Sequence, residues 1–302
     1  MAIDFSNPRT LLFVPGNQPR MLKKSSGFDS QWLIPDLEDS VPQAEKTAAR
    51  DIVAEHIPLL ATARKFIVPR VNSLSSGLAE NDIAAVASKE IIGISIGKIS
   101  TVDDVNNVDK MLTAAEKKAG LPIGHITILP FIETAQGVIN AYEICKASDR
   151  IRWVAFGAED FSADMSISRT VDNLEPGPAI SSEPGLTYPR SAVAIAARAA
   201  GVLALDTPYT RFRDPEGLKQ EASLAKAIGY KGKLSIHPAQ VEVIESIFKP
   251  NSSEIERARR VLDIASEAET AGRGSASLEG EMIDMPVILR ARNVLRDAGL
   301  QK

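Results

Sequence analysis

Histidine and cysteine are scarce in this chain. Its 302 residues include one cysteine, Cys145, and three histidines, His56, His125 and His237, far apart in sequence. A single thiol excludes an intrachain disulfide framework and fits a reducing, cytoplasmic setting. Cys145 falls on an apolar helical stretch and reads as packing. With no Cys/His cluster, a structural zinc site is excluded, and any metal is expected to be a hard ion held by carboxylates. Long apolar runs are missing too. None approaches the ~20 residues of a membrane span, so no membrane partner is expected. Residues 1–8 lack the basic-then-apolar order of a signal peptide. The chain has no excess of positive charge: 35 Lys and Arg against 39 Asp and Glu give a net charge of −4, which makes no case for nucleic acid. No Gly-x-Gly-x-x-Gly follows the first apolar run, which removes the usual dinucleotide reading.

What the chain does have is an alternation. Hydrophobic content of 44% and charged content of 25% are those of an ordinary globular enzyme. Eight short apolar runs bounded by turn residues read as buried strands, at 10–14, 32–35, 66–71, 92–96, 126–132, 153–156, 202–205 and 234–236. Helix-period stretches lie between them, among them 44–56, 102–120, 135–147, 191–200 and 215–229. Gly120, Gly201 and Gly229 stand where helix C-caps are expected. Eight repeats of this order predict an α/β fold, a (β/α)8 TIM barrel over residues 1–250, with a doubly wound open sheet as the alternative. Residues 251–302 read as a C-terminal helical extension and lid. In it, a helix at 252–270 capped by Ser252 or Ser253 leads through a Gly272–Gly274 hinge to a last helix at 287–298. The proline-bearing stretch 172–189 reads as a loop over the mouth of the barrel.

Most of the predicted strands end in a polar or charged residue on one side of the sheet, the catalytic face of such barrels. Glu133 follows the fifth strand and Asp160 the sixth. They are 27 residues apart, about one strand–helix–strand unit, so both carboxylates fall at one rim. Two hard oxygen ligands there suit Mg²⁺ with open coordination positions. A helix N-cap for Glu133 and a rim salt bridge for Asp160 are the bland readings. Asp36, Glu38 and Asp39 crowd the end of the second strand and need nearby cations, which Arg70, Lys98 or the metal would supply. Lys46 and Arg50 read either as a solvated helix face or as anchors of that acidic loop. His237, at the eighth strand's end, reads as structural.

Several segments together resemble the citrate lyase β-subunit-like group within the HpcH/HpaI aldolase and citrate lyase family. They are Arg9-Thr-Leu-Leu-Phe-Val-Pro-Gly16, Asp36-Leu-Glu-Asp-Ser-Val41 with Lys46 and Arg50, Arg70-Val-Asn72, Pro130-Phe-Ile-Glu-Thr134, Phe156-Gly-Ala-Glu-Asp160 and Gly232-Lys-Leu-Ser-Ile-His-Pro238. One departure is Gly97-Lys98, where the family usually has Pro-Lys.

The resemblance implies a Mg²⁺-dependent lyase that cleaves or forms a carbon–carbon bond in a 3-hydroxyacyl-CoA thioester such as citramalyl-, malyl- or citryl-CoA. Acetyl-CoA and a 2-oxo acid are the partners. It implies Glu133 and Asp160 as metal ligands, with Glu133 also facing substrate, and Arg70 as the clamp on the substrate carboxylate, against the plainer reading of an ion pair with Glu38 or Asp39. The Val14–Arg20 turn, with Arg9 and Arg20, is expected to meet the coenzyme A phosphates. Backbone amides near Gly157–Glu159 would serve a developing oxyanion. Met282-Ile-Asp-Met-Pro286 is similar to the lid of free-standing citramalyl-CoA and malyl-CoA lyases, which implies that Asp284 serves a neighbouring subunit in a homo-oligomer, a trimer or hexamer. The plain reading of Asp284 is a helix N-cap. The alternatives are a component acting on a carrier-bound thioester and a 2-oxo acid aldolase that does not use CoA, including one with Lys98 as Schiff-base nucleophile.

Overall fold

The computed structural model describes residues 8–167, 184–270, 272 and 276–300. The chain divides into two compact units, Met1–Glu245 and Ser246–Lys302.

The first unit is built on eight staves. They are β1 (Thr10–Pro15), β2 (Trp32–Asp36), β3 in two pieces (Phe66–Ile67 and Arg70–Val71), β4 (Gly93–Ile96), β5 (Thr127–Ile132), β6 (Trp153–Phe156), β7 (Leu203–Asp206) and β8 (Gly232–Ser235). Proline at 69, which has no N–H for a ladder, sits in the gap of β3. All pairings are parallel and run in chain order, and β8 returns to β1 through Leu11↔Leu234, so the sheet closes into a barrel. The open-sheet alternative is thereby overturned.

Alternation along each stave sends one set of side chains inward and the other against the helices. The inward set includes Leu11, Ile34, Val68, Leu129, Phe131, Trp153 and Leu234. Trp32 and Trp153 meet edge to face at 5.3 Å, an aromatic geometry that adds to the burial itself. The outward set, such as Leu12, Leu33, Ile128 and Val154, is equally buried. Burial on both faces is why these strands read as continuous apolar runs.

Helices follow the staves, and their ends are chemically marked. Val102–Ala119 starts at a Thr101/Asp104 capping box and stops at Gly120, φ +69°. One expectation fails here. Helix Pro184–Ala200 takes in Pro189, which had been placed in a loop. Residues 172–183 of that expected loop lie outside those described.

The second unit holds helix Ser252–Thr270, a hairpin of β9 (Ala276–Leu278) and β10 (Glu281–Ile283), and helix Met285–Asp297 around a small apolar cluster that includes Val261, Ile283 and Leu295. The first helix is capped by Asn251 rather than Ser252 or Ser253: Asn251 Oδ1 accepts from Glu254 N–H, and Glu254 returns a carboxylate to Asn251 N–H, both at 2.8 Å. The hairpin is absent from the sequence reading. It turns on Glu279 and Gly280, φ +51° and +85°, the conformation a tight two-residue hairpin needs. Of the expected hinge, residues 273 and 274 lie outside the described residues.

Candidate active site at the mouth of the barrel

The C-terminal ends of the staves surround a cavity of about 410 Å³ whose lining includes Phe13, Asp36, Asp39, Arg70, Glu133, Asp160, Thr207 and Ile236. β5 delivers Glu133 at its end, and helix Ala158–Asp164, after β6, delivers Asp160 from its first turn. The two expected carboxylates therefore share one rim. Glu133 is not the cap of the helix that follows. Thr134 is, with its Oγ1 accepting from Gly137 N–H at 3.0 Å. Glu133 is free of that duty and is buried, 3% exposed.

Lys98 ties the station together. Its backbone N–H donates to Glu133 Oε1 at 2.7 Å. Its ammonium lies 3.4 Å from Glu38 Oε1 and 3.4 Å from Asp160 Oδ1, so the rim salt bridge expected of Asp160 is present. Lys98 holds φ +60°, in the left-handed region that a non-glycine residue seldom adopts. Gly97 and Gly157 make room for Glu133: a Cβ would lie 2.5 Å from Glu133 Oε1 at the first and 2.3 Å from Oε2 at the second.

Burial pushes the Glu133 carboxyl up to about 8, and the charges of Asp160 and Glu38 add to the rise. Glu38 is raised for the same first reason, burial, and its buried Oε2 has no hydrogen-bond partner. Burial alone would lower the Lys98 ammonium, but Glu38, Asp160 and Glu133 raise it. That setting keeps the amine protonated, the wrong state for a Schiff-base nucleophile.

Arg70 Nη1 lies 3.4 Å from Glu38 Oε2 as an ion pair, and crowded carboxylates of this kind are a donor set that a hard divalent cation fits. Among the described residues no group of three or more His, Cys, Asp or Glu side chains is placed to hold a metal ion. A cation at Glu133 and Asp160 would keep positions for water or a ligand.

Arg70, on β3, stands beside this station and is held by the acidic loop. Its Nε and Nη2 donate to Asp36 Oδ1 and Oδ2 at 2.6 and 2.7 Å, and its Nη1 donates to Asp39 at 2.9 Å. Two of its five N–H donors are left by that count. The guanidinium carbon lies 4.9 Å from the centre of the Phe13 ring. Burial would raise the Asp36 carboxyl, but Arg70 holds it below the usual range. Asp36 as the bidentate partner is missed by the sequence reading, which considers Glu38 and Asp39. The available signal is position: Asp36 is the last residue of β2 and pairs in register with Arg70. Lys46 does anchor the acidic loop, donating to the carbonyls of Leu37 and Glu38 at 3.1 and 2.8 Å. Arg50 acts at one remove, through Asp82, which in turn holds Asn72.

Other expected residues stand elsewhere. Arg9 precedes β1, at the opposite end of the barrel from the cavity, and lies 3.8 Å from Glu245. It is not brought to the site. Arg20 is exposed on the helix after β1, on the cavity side. Gly157 N–H donates to Ile132 O and Ala158 N–H to Thr207 Oγ1, so neither amide remains for an oxyanion. Asp206 ends β7 but turns away from the cavity into a buried pairing with Arg190 and Lys233. His237 lies beyond β8 as the cap of a short turn, its Nδ1 accepting from Ala239 N–H at 3.2 Å. In the second unit Asp284 caps helix Met285–Asp297, accepting from Val287 N–H at 3.3 Å.

Known proteins are similar to this chain in sequence and fold. Residues 9–238 match the family described as HpcH/HpaI aldolase/citrate lyase. Citrate lyase subunit beta of Leuconostoc mesenteroides subsp. cremoris is 38% identical over 95% of this chain and 92% of that one. A (3S)-malyl-CoA thioesterase of Cereibacter sphaeroides is 32% identical over 96% and 94%. The crystal structure of protein CitE from Mycobacterium tuberculosis, in complex with magnesium, acetoacetate and coenzyme A, superposes with a TM-score of 0.77 at 29% identity, covering 97% of this chain and 99% of that one. The chain belongs to the HpcH/HpaI aldolase/citrate lyase family, and within it is a lyase resembling the citrate lyase β-subunit.

Proposed function

We propose that the chain is a Mg²⁺-dependent lyase that splits, or in reverse forms, a 3-hydroxyacyl-CoA thioester of the malyl-, citramalyl- or citryl-CoA type. The observation that carries this reading is the pair Glu133 and Asp160 at one rim, beside an arginine that retains unused donors. In cleavage the C2–C3 bond breaks, the 3-hydroxyl loses its proton to become the carbonyl of a 2-oxo acid, and the acetyl carbon gains a proton. Glu133 and Asp160 would hold magnesium, which when bound would supply charge stabilisation at that oxygen. The Lys98 N–H fixes the Glu133 carboxylate, and Asp36 orients Arg70 so that its remaining N–H groups meet the acid's carboxylate. Asp284 of a neighbouring copy moves the proton at the acetyl carbon. In support of docking by that segment, Met282 and Met285, on either side of Asp284, are 68% and 60% exposed.

The test supplies the purified chain with acetyl-CoA, Mg²⁺ and, in turn, glyoxylate, pyruvate and oxaloacetate, and follows the condensed thioester by mass. One oxo acid is expected to give product, and EDTA to abolish it. Full turnover in EDTA would remove the metal from the mechanism. A second reading, a component of a larger lyase that takes carrier-bound thioesters, is favoured by the similarity to a citrate lyase subunit. Condensation by the chain alone decides against it.

A further inference from the structure

Cleavage of the C2–C3 bond places negative charge on two oxygens, and the carboxylate station serves only the one on C3. The electron pair of the broken bond stays on C2 and spreads onto the thioester oxygen, so that C1 and C2 form an enolate until C2 is protonated. Such an oxyanion needs a hydrogen-bond donor already in place. The amides of Gly157 and Ala158 are taken. The carboxylates on the lining, among them Asp39 and Asp160, would repel it.

Ser40, Thr207 and Thr210 supply the hydroxyls of the described lining, and of these only Thr207 is buried, 2% exposed. Leu205 faces the barrel interior and Asp206 turns outward, so alternation returns Thr207 to the cavity side. Thr207 is pinned at both ends. Its carbonyl accepts from the fully buried Lys233 ammonium at 2.6 Å. Its Oγ1 accepts from Ala158 N–H at 3.0 Å. A threonine hydroxyl has one donor and two acceptor positions. Ala158 fills an acceptor position, and no group among the described residues takes the proton. Accepting one bond strengthens the O–H as a donor for another.

The bond to Ala158 also sets the hydroxyl beside the station. Ala158 follows Gly157, against which the Glu133 carboxylate rests, and Asp160 lies two residues on in the same helical turn. In the substrate only four bonds separate the 3-oxygen from the thioester oxygen. A substrate whose 3-oxygen faces Glu133 and Asp160 therefore carries its thioester oxygen close by.

We propose that Thr207 is a catalytic residue whose hydroxyl donates to the thioester oxygen and stabilises the enolate as the C2–C3 bond breaks or forms. Thr207 keeps its proton throughout, and the proton that C2 gains comes from another group. This rests on the reading of the chain as a thioester lyase.

The experiment compares the full wild-type chain with Thr207→Val, which keeps the shape and loses the hydroxyl, and Thr207→Ser, which keeps the hydroxyl. Three quantities are read: kcat and KM for condensation, deuterium wash-in from D2O at the acetyl-CoA methyl with oxalate in place of the oxo acid, and Mg²⁺ affinity by calorimetry. Thr207→Val should lower both kcat and wash-in about 100-fold or more, and leave KM and Mg²⁺ affinity within about threefold of wild type. Thr207→Ser should retain most of both rates. Thr207→Ala repeats the comparison if the valine variant fails to fold. Wild-type kcat and wash-in without the hydroxyl overturn the proposal and leave the lyase. A loss of Mg²⁺ affinity that matches the loss of rate also overturns it, because Thr207 would then be only a strut for the Asp160 helix. A wild-type chain that condenses no oxo acid removes the lyase and the proposal together.

Discussion

Gly157, which carries no side-chain chemistry of its own, and Lys98, whose backbone matters as much as its ammonium, decide the shape of the carboxylate station. Gly157 gives way to Glu133, and a methyl group there would sit 2.3 Å from Oε2 and 2.7 Å from its Cβ. Gly157→Ala should therefore leave the fold intact and lower kcat about 100-fold, the cost of displacing a reacting group by roughly 1 Å. Steady-state turnover beside a circular-dichroism melt checks this, and wild-type kcat would show that the station tolerates the shift. Lys98 combines two roles that substitution can separate. Its N–H serves Glu133, and its ammonium serves Glu38 and Asp160, from a left-handed backbone. Lys98→Gly and Lys98→Met both remove the ammonium, but only glycine accepts that φ without strain. The glycine variant should unfold in urea with about 1 kcal/mol more stability than the methionine variant. Equal stabilities would mean that the strain is not felt. At this scale the sequence reveals residue types better than partners. Glu133, Asp160 and Arg70 stand out because a charged residue ends an apolar run. The Asp36–Arg70 fork does not stand out, because three acids in four residues look alike until register chooses one.

At the scale of elements, the barrel staves are legible because both faces of each strand are buried and the runs stay apolar throughout. The exceptions have physical causes. Helix Pro184–Ala200 contains Pro189, whose ring suggests a break that the surrounding packing overrides. The hairpin at β9 and β10 is only three residues a side, too short for its period to be read. Asp206 looks like another rim acid, but its neighbour Leu205 faces the barrel interior, so alternation turns Asp206 outward. There it accepts from Arg190 Nε and Nη2 at 2.7 and 2.6 Å and from Lys233 Nζ at 2.6 Å, joining β7 and β8 to helix Pro184–Ala200. Burial alone would raise its carboxyl, but Arg190 and Lys233 hold it below the ordinary value. A depressed carboxyl stabilises the fold fully above its unfolded pKa of about 3.9 and loses that contribution as pH falls through the folded value. Asp206→Asn should therefore cost about 3 kcal/mol near neutrality, since it leaves two buried cations, Arg190 and Lys233, sharing the one carboxylate of Glu221. The gap from wild type should hold down to about pH 4 and narrow only below it. Urea unfolding across pH measures the gap; a gap that narrows between pH 7 and 5 would assign the stabilisation to another group.

At the scale of the whole molecule, the question is whether one chain holds a complete site. The barrel supplies the proposed metal ligands and carboxylate clamp, and Glu159 also lines its cavity, while moving the proton at the acetyl carbon is the task proposed for the tail. Asp284 is the candidate for that task, and it also caps a helix. These two duties separate cleanly, because asparagine is as good an N-cap as aspartate but cannot act as a carboxylate acid or base. Asp284→Asn should melt within a degree or two of wild type and lose about 100-fold or more in kcat. If the aspartate serves a neighbouring copy, two inactive chains can repair each other. Glu133→Gln lacks a metal ligand but keeps its tail, and Asp284→Asn keeps the metal station but lacks the acid. Mixed by denaturation and joint refolding, they should form oligomers in which an intact barrel meets an intact tail. Activity should then return to a fraction of wild type, roughly a quarter for random pairing at each site. Each variant refolded alone should stay inactive. No recovery on mixing, with both variants inactive and oligomeric, would place Asp284 in the site of its own chain. Wild-type turnover by Asp284→Asn would remove it from the chemistry altogether and leave the cap as its only role.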